Sequence, residues 1–169
     1  ADGTIAKKVI GCVTEALKAS YEFDDWKRLQ EIFRNPSLQM VSFTITEKGY
    51  SYNDADLNRG LSPVFALGKV TALLYERFKA GRLPLTVQSM DNCSHNGSKV
   101  QAGVFAYAER WVRDGLVPQD FLDYIKDETK ITFPWSMIDK ITPRPHEKVK
   151  ELLAQDGLED NNYIETSRH

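Results

Sequence analysis

Hydrophobic and polar positions follow a period of two in two parts of the chain, which is the spacing of a strand with one buried face. From Met40 to Thr46, apolar side chains alternate with hydroxyl side chains, and almost every residue is β-branched or aromatic. Leu83 to Met90 repeats this alternation. The short apolar run at 7–13 is typical of a further strand.

Other stretches carry apolar residues three and four positions apart, which is the period of a helix with one buried face. This pattern predicts helices at about 25–34, 65–79, 98–114, 118–128 and 146–154, with a shorter helical turn at 15–19. The first helix ends at Asn35, because the residue before Pro36 is pushed out of the helical region. A polar loop at 51–64 and an extended segment at 131–142 are also predicted.

The resulting order is strand, helix, strand, helix, strand, helix. It predicts an α/β fold in which a parallel sheet is built with crossover helices and leads into a helical segment. In such sheets, ligands bind beyond the carboxyl ends of the strands.

Composition narrows the class of protein. The 169 residues suit about one domain, and 41% hydrophobic with 27% charged residues is an ordinary globular mixture. A net charge of −2 argues against a nucleic-acid binder, which normally carries a basic excess. No apolar run approaches the roughly 20 residues that span a bilayer, and the first residues contain no signal-peptide core. We therefore expect a cytoplasmic protein with no membrane partner.

Two polar tracts follow the two best strands. The first, Thr46 to Gly49, contains Glu47 and Lys48, which form either an exposed ion pair of little energetic value or a contact to a cofactor. The second runs from Asp91 to Gly97. No metal-ligand spacing, P-loop or Gly-x-Gly-x-x-Gly loop occurs, so no metal site is predicted.

The second tract offers two candidate side chains. The amide of Asn92 can stabilise negative charge on a substrate oxygen, or it can cap the next helix. His95 can act as a general base, although a histidine in a loop is more often only solvated. Asn96-Gly97 is typical of a turn or cap. Farther along, Asp139 is costly to bury without a partner such as Lys140 or Arg144.

Three segments together resemble the mannitol dehydrogenase family, the polyol-specific long-chain dehydrogenases. Met40-Val-Ser-Phe-Thr-Ile-Thr-Glu-Lys-Gly-Tyr50 contains the family's Thr-Glu-Lys-Gly-Tyr sequence. Ser89-Met-Asp-Asn-Cys-Ser-His-Asn-Gly97 is similar to its Ser-Cys-Asp-Asn-x-x-x-Asn-Gly segment. Phe133-Pro-Trp-Ser-Met-Ile-Asp-Lys-Ile-Thr-Pro143 is similar to Phe-Pro-Asn-Ser-Met-Val-Asp-Arg-Ile-Thr-Pro, and the segments occur in the family's order.

The resemblance implies a partial Rossmann-like sheet and hydride transfer between a secondary alcohol and its ketone, with NAD or NADP and without metal. The substrate in the full enzyme would be a small polyol or keto-sugar acid. Asn92 matches a catalytic asparagine that holds the reacting oxygen. We assign Thr46, Glu47 and Lys48 to cofactor binding, and Asp139 and His95 to substrate binding.

Departures from the family pattern are as informative as the matches. The chain has neither the Gly-x-Gly-x-x-x-Arg pyrophosphate loop nor the catalytic Lys-x-x-x-x-Asn-x-x-His signature, and Trp135 stands where many members have asparagine. We therefore expect an internal fragment, with 1–142 from the cofactor domain and 143–169 as linker and start of the helical catalytic domain. Alone, it should bind NAD or NADP weakly or not at all and be inactive.

An alternative function fits the same residues. A naturally short, non-catalytic module could reuse the same half-domain for binding or assembly. In either case, a sheet edge left exposed favours self-association, because its backbone groups are unpaired.

Overall fold

The computed structural model describes residues 11–138 and 146–158. The described residues fall into two compact units, one ending at Ser136 and one beginning at Met137. The predicted domain boundary at residue 142 lies outside the described residues and stays a prediction.

The first unit alternates helices and strands. Its elements are α1 (Asp25–Arg34), β1 (Met40–Phe43), a 3-10 helix (Glu47–Tyr50), α2 (Asp54–Leu57), α3 (Ala66–Lys79), β2 (Leu85–Ser89), α4 (Asn96–Arg113), α5 (Gln119–Lys126) and β3 (Ile131–Thr132). The second unit contains α6 (Glu147–Gln155), which begins and ends one residue later than the helix predicted at 146–154. The described part of the chain contains no helix long and apolar enough to cross a membrane.

The three strands form one parallel sheet in the order β1-β2-β3. Phe43 pairs with Ser89, and Leu85 pairs with Ile131. Helices α2 and α3 connect β1 to β2, and α4 and α5 connect β2 to β3. The prediction of an α/β parallel sheet with crossover helices is confirmed, and the carboxyl ends of all three strands meet at one edge.

One face of the sheet carries the core. Leu85, Val87 and Ser89 of β2 are buried, whereas the side chains between them are only half-buried. The core continues into fully buried, large apolar side chains of α3, α4 and α5, among them Leu67, Leu74, Val100, Val104, Tyr107, Trp111, Phe121 and Ile125. The buried Arg77 of α3 donates hydrogen bonds to the carbonyls of Leu38 and Pro84. These two bonds join α3 to the segments that lead into β1 and β2.

Several predicted bounds are wrong in detail. Of the strand predicted at 7–13, residues 7–10 lie outside the described residues, and 11–13 form a turn and coil. The predicted helical turn at 15–19 is coil, because so short a run cannot offset the cost of helix nucleation. The loop at 51–64 contains α2, whose first turn is capped by the Asn53 side chain accepting from Asp56 N–H at 2.9 Å.

Candidate functional site

The candidate residues that the structure describes lie on loops at the carboxyl edge of the sheet. Thr46, Glu47 and Lys48 follow β1, and Asn92 and His95 follow β2; all five are exposed. Neighbouring parallel strands present their carboxyl ends side by side, so the fold brings the two predicted tracts to one edge. Asp139 lies outside the described residues.

The Asp91 carboxylate joins the two loops. Its Oδ2 accepts the Ile45 N–H at 2.9 Å, and its Oδ1 accepts the Thr46 N–H at 3.0 Å. The Tyr50 hydroxyl donates to Oδ2 at 2.6 Å. One carboxylate therefore fixes the start and the end of the loop that carries Glu47 and Lys48.

The backbone of this loop is strained at Thr46. Thr46 has φ 59° and ψ 168°, a region that is essentially restricted to glycine. Gly49 is required for a different reason: a Cβ at that position would lie 2.6 Å from the Ile45 Cβ. The loop is thus tightly folded on itself and not an extension of β1.

Tyr50 is the buried end of the same loop. Its hydroxyl also contacts the Ser89 hydroxyl, which accepts the Asp91 N–H at 3.2 Å. Burial raises the pKa of Tyr50 above its ordinary value, and the hydrogen bond to Asp91 adds to this shift. Tyr50 therefore stays protonated at neutral pH and remains a hydrogen-bond donor to Asp91.

Asn96 connects the loop after β2 to the segment after β3. Its side chain is 1% exposed, and its Nδ2 donates to the Asp91 carbonyl at 3.0 Å and to the Ser136 carbonyl at 2.9 Å. Its Oδ1 accepts the N–H groups of Gly97 at 2.8 Å and of Ser136 at 3.0 Å. Ser136 also donates from its hydroxyl to the Ser89 carbonyl. Asn96 is therefore a structural residue, as the interpretation of Asn96-Gly97 as a turn or cap implied.

Gly97 allows residues 133–136, which follow β3 and are called the β3 segment below, to lie close to α4. A Cβ at this position would lie 2.4 Å from the Phe133 carbonyl oxygen and 2.6 Å from that of Pro134. No real side chain tolerates such contacts with backbone, so the spacing between the two segments requires glycine here.

The two candidate side chains of the second tract differ in their surroundings. Asn92 is exposed and does not occupy the N-cap of α4, a position that belongs to His95. His95 has the left-handed conformation, with φ 55°, and its ring meets that of Trp135 edge to face with centroids 4.4 Å apart. Trp135 is 62% exposed and donates from Nε1 to the Ser98 hydroxyl at 2.9 Å.

Glu47 and Lys48 do not form the exposed pair that was one of their two interpretations. The Glu47 Oε1 instead lies 3.8 Å from the Nζ of Lys99 on α4, and the Glu47 side chain is 84% exposed. Such a long, exposed contact contributes little to stability, which leaves Glu47 available to a ligand. Within the described residues, no group of three or more His, Cys, Asp or Glu side chains is placed to hold a metal ion.

Comparison with known proteins identifies the family. Residues 3–162 match the family model described as the mannitol dehydrogenase Rossmann domain. The chain belongs to the mannitol dehydrogenase family. The resemblance noted in the sequence is thereby confirmed.

Individual relatives and structures agree with this assignment. The chain is 49% identical over 178 residues to a D-mannonate oxidoreductase of Thermotoga maritima, covering 99% of this chain and 33% of the relative. It is 30% identical to an altronate oxidoreductase of Klebsiella pneumoniae, covering 96% of this chain and 32% of the relative. A Pseudomonas fluorescens mannitol 2-dehydrogenase, solved as a ternary complex with NAD and D-mannitol, has a TM-score of 0.66 and 28% identity, covering 84% of this chain and 30% of that chain. This chain therefore spans about one third of the length of the curated relatives it matches.

Sequence reasoning missed the residues that hold the candidate site together. Asp91, Tyr50 and Ser136 lie inside the three motif segments, but their side chains had no assigned role. No local signal marked Asp91 as the acceptor of N–H groups 45 and 46 positions away. None distinguished Ser136 either, whose partners are 40 and 47 positions away.

Proposed function

We propose that this chain is part of an NAD(P)-dependent oxidoreductase that interconverts the secondary alcohol of a polyol or hexonate and its ketone by hydride transfer. The observation that carries the proposal is the shared sheet edge, where exposed polar side chains follow β1 and β2 in a chain of the mannitol dehydrogenase family. Parallel α/β sheets bind ligands at this edge.

The side chains at this edge have the chemistry that a nicotinamide nucleotide and a polyhydroxylated substrate require. Asn92 offers an amide and Lys48 an ammonium group. His95 offers an imidazole and Glu47 a carboxylate. These groups suit the carboxamide, hydroxyls and charges of such ligands. The bound nicotinamide would supply the hydride acceptor or donor.

Asn92 is proposed as the catalytic residue in this chain. Its exposed amide donates a hydrogen bond to the substrate oxygen, which gains negative charge as the hydroxyl loses its proton. Stabilising that charge lowers the barrier, because a preorganised donor interacts more strongly with the alkoxide than with the alcohol. The interpretation of Asn92 as a cap of α4 is disfavoured, since His95 holds that position.

The remaining candidates bind and orient. Thr46, Glu47 and Lys48 contact the cofactor from the β1 side, with Lys48 supplying positive charge. His95 and Asp139 contact the substrate hydroxyls. The D-mannonate oxidoreductase, at 49% identity, supports a sugar acid as the substrate class, whereas the relatives near 30% identity include both altronate and mannitol enzymes.

The test compares the isolated chain with the whole polypeptide to which we assign it. Calorimetry with NAD and NADP should detect weak or no binding to the isolated 169 residues, which contain no glycine-rich pyrophosphate loop. The isolated chain should show no turnover of D-mannonate, D-mannitol, fructose or fructuronate.

The whole polypeptide should reduce NAD or NADP when D-mannonate or D-mannitol is offered as the alcohol. Failure with every hexonate and polyol offered would contradict the proposed reaction. Robust turnover by the isolated chain would instead show that its residues suffice, and would refute its assignment as one part of the enzyme.

We also propose that the isolated chain self-associates through the free edge of β1. Within the described residues β1 pairs only with β2, which leaves one row of its backbone groups for another strand. Size-exclusion chromatography of the isolated chain tests this, and a monomer at high concentration would contradict it.

A further inference from the structure

We infer that Asp91 is a positioning residue for cofactor binding, which it serves by holding the loop from Ile45 to Tyr50 in a strained conformation. This inference rests on the proposed function and adds a residue to which no ligand-related role has been assigned. The geometry points to it because one carboxylate accepts hydrogen bonds from three groups of that loop.

Thr46 carries the strain of this loop. Its φ of 59° and ψ of 168° are readily adopted by glycine, whereas a β-branched residue is disfavoured there. A loop with only a structural role would avoid this cost with glycine at the same position. Strained non-glycine residues persist where the surrounding contacts overdetermine them, and they concentrate at ligand sites.

The hydrogen bonds to the Asp91 carboxylate hold the strained backbone of Thr46 in place. The N–H groups of Ile45 and Thr46 each meet a separate oxygen of the carboxylate, at 2.9 and 3.0 Å. Both oxygens are therefore needed as acceptors. An asparagine has nearly the same shape but presents an NH2 group at one of these places, where it would face a backbone donor.

The rest of the network fixes Asp91 itself. The Ser89 hydroxyl accepts its N–H at 3.2 Å, and the buried Asn96 amide donates to its carbonyl at 3.0 Å. Asp91 is thus anchored to β2 and α4, while its side chain holds the loop after β1. The exposed Glu47 and Lys48 extend from that loop at the carboxyl edge of the sheet, so their placement depends on Asp91.

The experiment measures the Kd of NAD(P)H by fluorescence, together with KM and kcat, in the whole polypeptide. Asp91→Asn should raise the cofactor Kd and KM about 10- to 100-fold, the effect of losing a charge-assisted hydrogen bond, with kcat at saturating cofactor within about threefold of wild type.

Two further variants separate positioning from general destabilisation. Tyr50→Phe removes one donor to Asp91 but leaves both backbone contacts, so it should give a smaller rise in Kd. Asp120→Asn makes the same chemical change on α5, where Asp120 pairs with Arg82 in solvent, and should leave Kd unchanged. Amide hydrogen exchange at 45–50 should be faster in Asp91→Asn and unchanged in Asp120→Asn.

The outcomes distinguish this inference from the proposed function. A cofactor Kd in Asp91→Asn within twofold of wild type overturns the role of Asp91, as does an equal rise in Kd in Asp120→Asn. If the wild-type polypeptide binds NAD(P)H but turns over no substrate, the proposed reaction fails while the Kd values still decide the role of Asp91. If it binds no NAD(P)H, both fail.

Discussion

Replacing Gly97 by alanine tests whether the close packing of α4 against the β3 segment sets the geometry of the site. The added Cβ would lie 2.4 Å from the Phe133 carbonyl oxygen and 2.6 Å from the Pro134 carbonyl oxygen. Both contacts involve backbone, which cannot move aside by a side-chain rotation. The segment that runs on to Trp135 and Ser136 must therefore shift away from α4.

The size of the effect follows from these distances. To reach 3.0 Å, the Phe133 carbonyl has to move by about 0.6 Å, which breaks the close fit and costs about 1–3 kcal/mol as overpacking. Alanine recovers up to about 1 kcal/mol of helix propensity, so the middle of both ranges gives a net loss of unfolding free energy of about 1.5 kcal/mol. A displacement approaching 1 Å near reacting groups can lower turnover up to about 100-fold.

Two measurements are needed, with Gly103→Ala as the matched control. Urea denaturation of the isolated chain gives the change in unfolding free energy, and kcat of the whole polypeptide, corrected for folded fraction, gives the effect on the site. A Cβ at Gly103 would lie 2.3 Å from the Leu67 Cδ1, the end of a flexible side chain in the core. Gly103→Ala should therefore lower stability and leave the turnover of folded enzyme unchanged.

The reasoning would be refuted by either of two results. One is a Gly97→Ala variant with wild-type stability and wild-type turnover, which would mean that the β3 segment adjusts without cost. The other is an equal loss of turnover in Gly103→Ala, which would mean that the site responds to any strain in α4.

Two more expectations follow from single side chains. Burial by itself raises the pKa of Glu76, but hydrogen bonds from Lys79 and Arg34 outweigh it and leave the pKa lowered. A lowered folded-state pKa gives stability that is present above the unfolded value of about 4.3 and is lost as the pH falls through the folded-state value. Glu76→Gln should therefore destabilise the chain at pH 7, and its difference from wild type in urea unfolding should shrink as the pH falls through the folded-state value of Glu76. Asn92→Ala should lower kcat of the whole polypeptide by about 10²–10³, the cost of removing one donor to a developing oxyanion. Gln119→Ala, which removes an exposed amide on α5, should keep the wild-type rate, and an Asn92→Ala enzyme at that rate would exclude the catalytic role.

The end of β1 differs from the end that the local sequence pattern predicts. Alternation from Met40 to Thr46 predicts a strand of seven residues, but β1 ends at Phe43. The difference arises because the N–H groups of Ile45 and Thr46 bind the Asp91 carboxylate and no neighbouring strand. The pattern correctly identifies side chains that favour β structure. The length of the strand depends instead on which hydrogen-bond acceptor lies near each backbone N–H group.

The helices were predicted more accurately than the strand ends. The apolar stripe of α3 identified a helix to within one residue of Ala66–Lys79, because the helical period places apolar side chains three and four positions apart on one buried face. The start of α4 was placed at Ser98, two residues late. Asn96 begins that helix, and its side chain is committed to Ser136, 40 positions away, which no local pattern reveals.

By itself, the sequence determined the family, the order of strands and helices, and the two polar tracts that follow the best strands. Periodicity and motif order are local properties, so they can be read without coordinates. Only the tertiary structure decided that these tracts share one edge, that Thr46 is strained, and that Asp91 holds it there. Those features depend on hydrogen bonds between residues 45 and 46 positions apart, and such partners become neighbours only when the parallel sheet forms.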